Sequence, residues 1–83
     1  MMKKKTFYVT IGDIKGGKKR SVSCCPIARS VNRTTKREDA YVDNFHCVFG
    51  GEVYALPENA MNFISLFDKG QDVEPFSFTL KQE

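Results

Sequence analysis

An α+β fold is predicted for this chain, and three observations predict it. Short segments with a period of two alternate with two segments of helical period. Their order is β-α-β-β-α-β, which most simply builds a four-stranded, mainly antiparallel sheet with two helices on one face. A Gly50-Gly51 pair between the middle strands marks a hairpin, because both residues tolerate positive φ. At 83 residues the chain makes a single domain spanning 1–83. A ferredoxin-like split arrangement is the first expectation, with a variant strand order as the alternative that pattern alone does not separate.

The elements follow in order. Phe7, Val9 and Ile11 alternate with Tyr8 and Thr10, giving a strand with one apolar face. Asp13-Ile14-Lys15-Gly16-Gly17 reads as a turn and Lys18-Lys19-Arg20 as a solvated loop. Ser23 offers an N-cap, and Pro26 suits a first helical turn, where its missing N–H does no harm. Cys24, Ile27, Ala28 and Val31 make the inner stripe of this helix, with Arg29 and Arg33 on the other face. The helix should end within 32–35, where β-branched and polar residues gather.

Alternation returns from Tyr41 to Phe49. Tyr41, Phe45, Cys47 and Phe49 share one face with Asp43; Val42, Asn44, His46 and Val48 share the other. Val53-Tyr54-Ala55-Leu56 is the partner strand. Pro57 and Glu58 suit the start of a second helix, whose stripe is Ala60, Phe63, Ile64 and Phe67 and whose C′ residue is Gly70. Phe76, Phe78 and Leu80 alternate with Ser77 and Thr79 in a last strand.

Charge is divided along the chain. Residues 1–37 hold eleven Lys or Arg against one acid, Asp13, a balance of +10. Residues 38–83 hold two bases against nine acids, a balance of −7. The formal +3 hides this asymmetry, which either creates a face for an anionic partner or is neutralised when the halves meet. The opening Met1-Met2-Lys3-Lys4-Lys5 has the charge of a secretion signal, but Gly12 and Asp13 break the apolar run that should follow. No stretch is long enough to span a bilayer, and three cysteines, two of them adjacent, do not make a disulfide framework. A cytoplasmic location is expected, with no membrane partner.

The strongest candidate surface is basic. Arg29 and Arg33 are four apart and project from one helix face; Lys36 and Arg37 lie just beyond, and Lys18, Lys19 and Arg20 precede the same helix. Tyr8 and Tyr41 are the aromatic support that could stack a base. Such a set suits phosphates, although the signatures of known nucleic-acid modules are absent, and a plain solvated surface accounts for it equally well. Cys24 or Cys25 near a helix N-terminus, with His46 and Asp43, would imitate a Cys-His pair, but nothing in the spacing brings them together and no oxyanion signature accompanies them. Structural zinc needs paired ligands two to four residues apart, which Cys24, Cys25, His46 and Cys47 lack. No metal, cofactor or catalytic residue is therefore expected. Spaced acids (Glu38, Asp39, Asp43, Glu52, Asp72 and Glu74 among them) allow mimicry of a phosphate backbone, but such mimics are far more acidic overall, and Glu58 and Asp68 flank a helix.

Three segments carry a resemblance. They read Cys25-Pro26-Ile27-Ala28, then Leu56-Pro57-Glu58 with Phe63-Ile64, then Phe67-Asp68-Lys69-Gly70 with Val73-Glu74-Pro75-Phe76-Ser77-Phe78-Thr79-Leu80. On these the chain resembles a group of small uncharacterised proteins of bacteriophages and prophages, over about two-thirds of its length. Members of that group often continue the first motif with a more apolar helix, which Arg29 and Arg33 interrupt here. The resemblance implies a phage or prophage gene expressed in a bacterial cytoplasm, and no mechanism. With the small size and the charge asymmetry, the expectation is a non-enzymatic protein that binds a host protein or ribonucleoprotein. Its most concrete form is an inhibitor of a host defence nuclease or another host enzyme, of anti-CRISPR or anti-restriction type. A nucleic-acid-binding accessory protein using the basic helix face is the alternative, and either a monomer or a homodimer is compatible.

Overall fold

The structure, a computed structural model, describes residues 4–82. The elements are β1 (Lys4–Val9), α1 (Ile11–Gly16), α2 (Pro26–Thr35), β2 (Tyr41–Val42), β3 (His46–Phe49), β4 (Glu52–Ala55), α3 (Glu58–Asp68) and β5 (Phe76–Gln82). The fold is α+β, as expected, but among the described residues the sheet has five strands rather than four. Their spatial order is β1-β5-β4-β3-β2, and every pair is antiparallel.

Other expectations are corrected as well. The split arrangement fails because it needs the first strand inside the sheet; β1 is an edge, paired only with β5 from Lys4↔Lys81 to Val9↔Phe76. The expected single strand from Tyr41 to Phe49 is two strands folded back on each other. Asp43 breaks it: its Oδ1 accepts from the amides of Phe45 (2.8 Å) and His46 (2.6 Å), a local side-chain turn that competes with the ladder. Phe45 is thereby thrown onto the hairpin tip, 64% exposed, instead of sharing a face with Cys47 and Phe49. The expected turn after β1 is the short helix α1. Thr10 caps it by accepting from the Asp13 amide, while the Asp13 carboxylate accepts from the Thr10 amide at 3.0 Å.

The remaining elements form for the reasons the sequence supplies. Helix α2 starts with Pro26 at its first position, although its N-cap is Cys25, whose Sγ accepts from the Ala28 amide, rather than Ser23. It ends at Lys36, which turns left-handed (φ 57°). Gly50 and Gly51 take φ of 61° and 78°, the two positive values that a tight β3–β4 turn requires. Helix α3 buries Ala60, Phe63, Ile64 and Phe67, and closes when the Gln71 amide reaches back to the Leu66 carbonyl at 3.0 Å.

One face of the sheet is covered and the other is not. Phe7, Val9, Cys47, Phe49, Phe78 and Leu80 point to the covered face and join α2 and α3 in a single buried cluster. Phe7 stacks on Phe78 at 5.5 Å and meets Phe49 edge-on at 6.1 Å; Phe63 of α3 stacks on Phe76 at 4.6 Å. A fully buried side chain such as Phe7 contributes roughly 1.5–3 kcal/mol, so this aromatic layer, with the partly buried Phe76 at its border, carries much of the stability of a small chain. On the uncovered face the cross-strand rows are Tyr41–Val48–Val53 and His46–Ala55–Lys81–Lys4, with Thr6–Thr79 and Tyr8–Ser77 beyond them.

Candidate functional site

The seven candidate cations do not make one stripe. Arg29 and Arg33 turn from α2 toward α1, where both meet Asp13. The Arg33 Nη1–H donates to Asp13 Oδ1, its Nη2–H donates to the Tyr8 carbonyl at 2.9 Å, and Arg29 Nε lies 4.0 Å from the same carboxylate. Burial alone would push the Asp13 carboxyl up, but the Arg33 hydrogen bond, the Thr10 amide and the guanidinium charge together hold its pKa below the ordinary carboxylate value. Arg37 leaves α2 for the β3–β4 turn and grips Asp39 with two bonds of 2.7 and 2.9 Å. That fork, with the Gly50 amide, lowers the Asp39 pKa to about 2. Lys36 sits at the end of α2, while Lys19 Nζ reaches Gly70 at the end of α3. Three of the four arginines in the set therefore face carboxylates: Arg29 and Arg33 share Asp13 of the same basic half, and Arg37 takes Asp39, the second residue of the acidic half. These ion pairs tie down local structure, and the only one of them that crosses between the halves, Arg37 with Asp39, spans two residues.

The aromatic pair is also separated. Tyr8 and Tyr41 are 65% and 47% exposed, on the uncovered face of the sheet and on its opposite edge strands. Their rings lie on the sheet face away from α2, although the Tyr8 carbonyl itself accepts from Arg33.

The thiols divide by environment. Cys25 and Cys47 are buried in the core, and burial pushes both upward, Cys47 to about 12 with Cys25 and Asp43 adding to the effect. Neither is a nucleophile at neutral pH. Cys24 is exposed, and the Ser23 and Ser21 hydroxyls lower its pKa, with Lys18 and Arg29 helping. His46 does lie beside Asp43, its Nδ1 3.6 Å from Oδ1, but it points to the uncovered sheet face while Cys25 lies under the helices. Among the described residues no cysteine, histidine and acid thus meet closely as a set. Among the described residues no three of His, Cys, Asp and Glu group closely enough to hold a metal ion. Nor is any described helix long and apolar enough to cross a membrane.

The best-formed concavity lies elsewhere, between α3, the loop before α2 and the β2–β3 hairpin. Its volume is about 290 Å³, with Ile27, Val42, Phe63, Ile64 and Phe67 in its apolar lining and the Cys25 thiol among them. It continues into a shallower depression of about 390 Å³ lined by Phe45, Met61 and Lys69; Arg20, Asn44, Ile64 and Asp68 belong to both. Arg20 holds a left-handed backbone (φ 58°), fixed by its amide donating to Asp68 Oδ1 at 2.8 Å. A non-glycine residue in this region is strained by about 1–2 kcal/mol. The rim carries Arg20, Lys69 and, across Gly70, Lys19; the two carboxylates there, Asp43 and Asp68, are occupied by backbone amides.

Sequence reasoning placed Arg20 and Lys19 in the site but missed Asn44, Ile64 and Asp68. The Asp43-Asn44 pair is a turn signal that would have placed Phe45 outside the core. No protein-family model, no curated protein and no solved structure matches the chain.

Proposed function

We propose that this chain is a small non-enzymatic binding protein of phage or prophage type, acting in a bacterial cytoplasm by docking on one host protein, most concretely a defence nuclease or another enzyme that it inhibits. The observation that carries this reading is the apolar cleft flanked by an exposed phenylalanine. A lone Phe at the tip of a two-stranded hairpin, beside a cleft lined by Phe63, Ile64 and Phe67, is the kind of anchor and pocket that dominates protein interfaces. The cations Lys19, Arg20 and Lys69 around it favour a partner with an acidic patch. We place the contact surface on the loop cations Lys19 and Arg20 and on Lys69 at the end of α3, rather than on the α2 arginines, which Asp13 engages. The alternative reading, nucleic acid on the α2 face, is the weaker one here, since Asp13 already engages both arginines.

The test is capture from bacterial lysate on the immobilised protein, compared with Phe45→Ala and Arg20→Glu variants. A host protein retained by the parent should bind each variant about ten-fold more weakly, and the parent should inhibit that protein's activity. Capture that is equal for all three would remove the cleft from the interface. A captured protein whose activity is untouched would reject inhibition.

A further inference from the structure

We propose that the uncovered face of the sheet binds single-stranded nucleic acid, a site separate from the helix-side cleft. The sheet register fixes which side chains share this face. Tyr8 and Ser77, Thr6 and Thr79, and Lys4 and Lys81 are direct partners on β1 and β5; Lys81 continues through Ala55 to His46, and Val53 through Val48 to Tyr41. Among the described residues, none of these positions is an acid. The carboxylate that borders the face, Asp43, is tied to the Phe45 and His46 amides and lies against His46. A face with two lysines, a histidine and, among the described residues, no acid of its own suits phosphate.

The other groups suit a single strand. Tyr8 and Tyr41 present exposed rings on opposite edges of the same face. Five strands make a platform roughly 19 Å across, from four gaps of about 4.8 Å, which leaves room for several nucleotides between the two rings. Lys4 and Lys81 meet in the row between them, placed for the phosphodiesters that link the stacked bases. The Thr6 and Thr79 hydroxyls bond to each other at 2.9 Å and are available to base edges without selecting one base. An uncovered sheet face accepts unstacked bases and has no protruding helix to enter a duplex groove.

The test is fluorescence anisotropy with labelled 20-mers of deoxythymidine and uridine and with a 20-bp duplex, at rising salt. The single strands should bind at low salt and the duplex markedly less. Tyr8→Ala and Tyr41→Ala should each weaken binding about ten-fold. Lys4→Gln with Lys81→Gln should flatten the log–log salt slope by roughly 1.4. All these positions are exposed, and unchanged far-UV circular dichroism will show that the variants remain folded. Absence of single-strand binding at low salt overturns the proposal. So does binding that survives both tyrosine changes but is lost in Arg29→Ala with Arg33→Ala. Self-association that the tyrosine changes abolish, without oligonucleotide binding, would assign the face to a second copy and also overturn it. Phe45→Ala leaves this face intact, so failure here and failure of the cleft are read separately.

Discussion

Asp13 organises more of this chain than any other single residue. It is the one acid among the first 37 residues, it is 2% exposed, and it serves the Thr10 amide, Arg33 and, more distantly, Arg29. Replacing it with Asn removes the charge that these donors face. Charge-assisted hydrogen bonds of this kind contribute about 1.5–3 kcal/mol, and the half-exposed arginines keep the effect below that of a fully buried pair, so Asp13→Asn should cost about 2–3 kcal/mol. The midpoint of urea unfolding at pH 7 measures it. The native pKa of Asp13 is lowered, so its contribution is complete above the ordinary carboxylate value near 4 and is lost as pH falls through the native one. The gap between parent and variant should therefore close in the acid range; a gap that is constant down to pH 2 would contradict the ion pair. Half of this arrangement was legible in the sequence. Thr10 and Asp13, three apart, have the spacing of a capping box, although three nearby glycines suggested a turn. The arginine half was not, because Arg33 lies twenty residues away and only packing brings it there.

At the scale of elements, periodicity located both longer helices and most of the strands, and failed where a side chain redirected the backbone. Ala60, Phe63, Ile64 and Phe67 are buried as their spacing demands. Tyr41 to Phe49 alternates just as convincingly, yet Asp43 folds it into two strands, since alternation records which residues want burial and not where the chain reverses. The junction of α1 and α2 has its own constraint. A Cβ on Gly17 would stand 2.7 Å from two Pro26 ring carbons and 2.8 Å from the Asp13 carbonyl, and neither a proline ring nor backbone can yield. Gly17→Ala should therefore lower stability by about 1–3 kcal/mol, a drop in Tm of several degrees. A Tm equal to that of the parent would show that this loop relaxes freely.

For the whole molecule, the pairing of β1 with β5 is decisive. It joins segments about seventy residues apart and brings Phe7 onto Phe78, so the layer under the helices is complete only when both strands are present. Deleting residues 1–9 removes Phe7, Val9 and the Tyr8 carbonyl, one of the two acceptors of Arg33, and leaves β5 without its main partner. That chain should show neither a cooperative thermal transition nor dispersed amide resonances; a cooperative transition would mean that the rest folds alone. Strand order was the least legible property in the sequence, since four or five amphipathic strands satisfy the same pattern in several orders. The site was equally hidden, because the cleft draws on the loop before α2, a hairpin tip and a helix that lie far apart in the chain. The same adjacency of β1 and β5 has a practical side. Lys4 and Lys81 face each other across one ladder, so two attachment points about 5 Å apart suffice to carry the unit. It can be spliced as one insert into a surface loop of an unrelated carrier, displaying cleft and platform on a host of the experimenter's choosing.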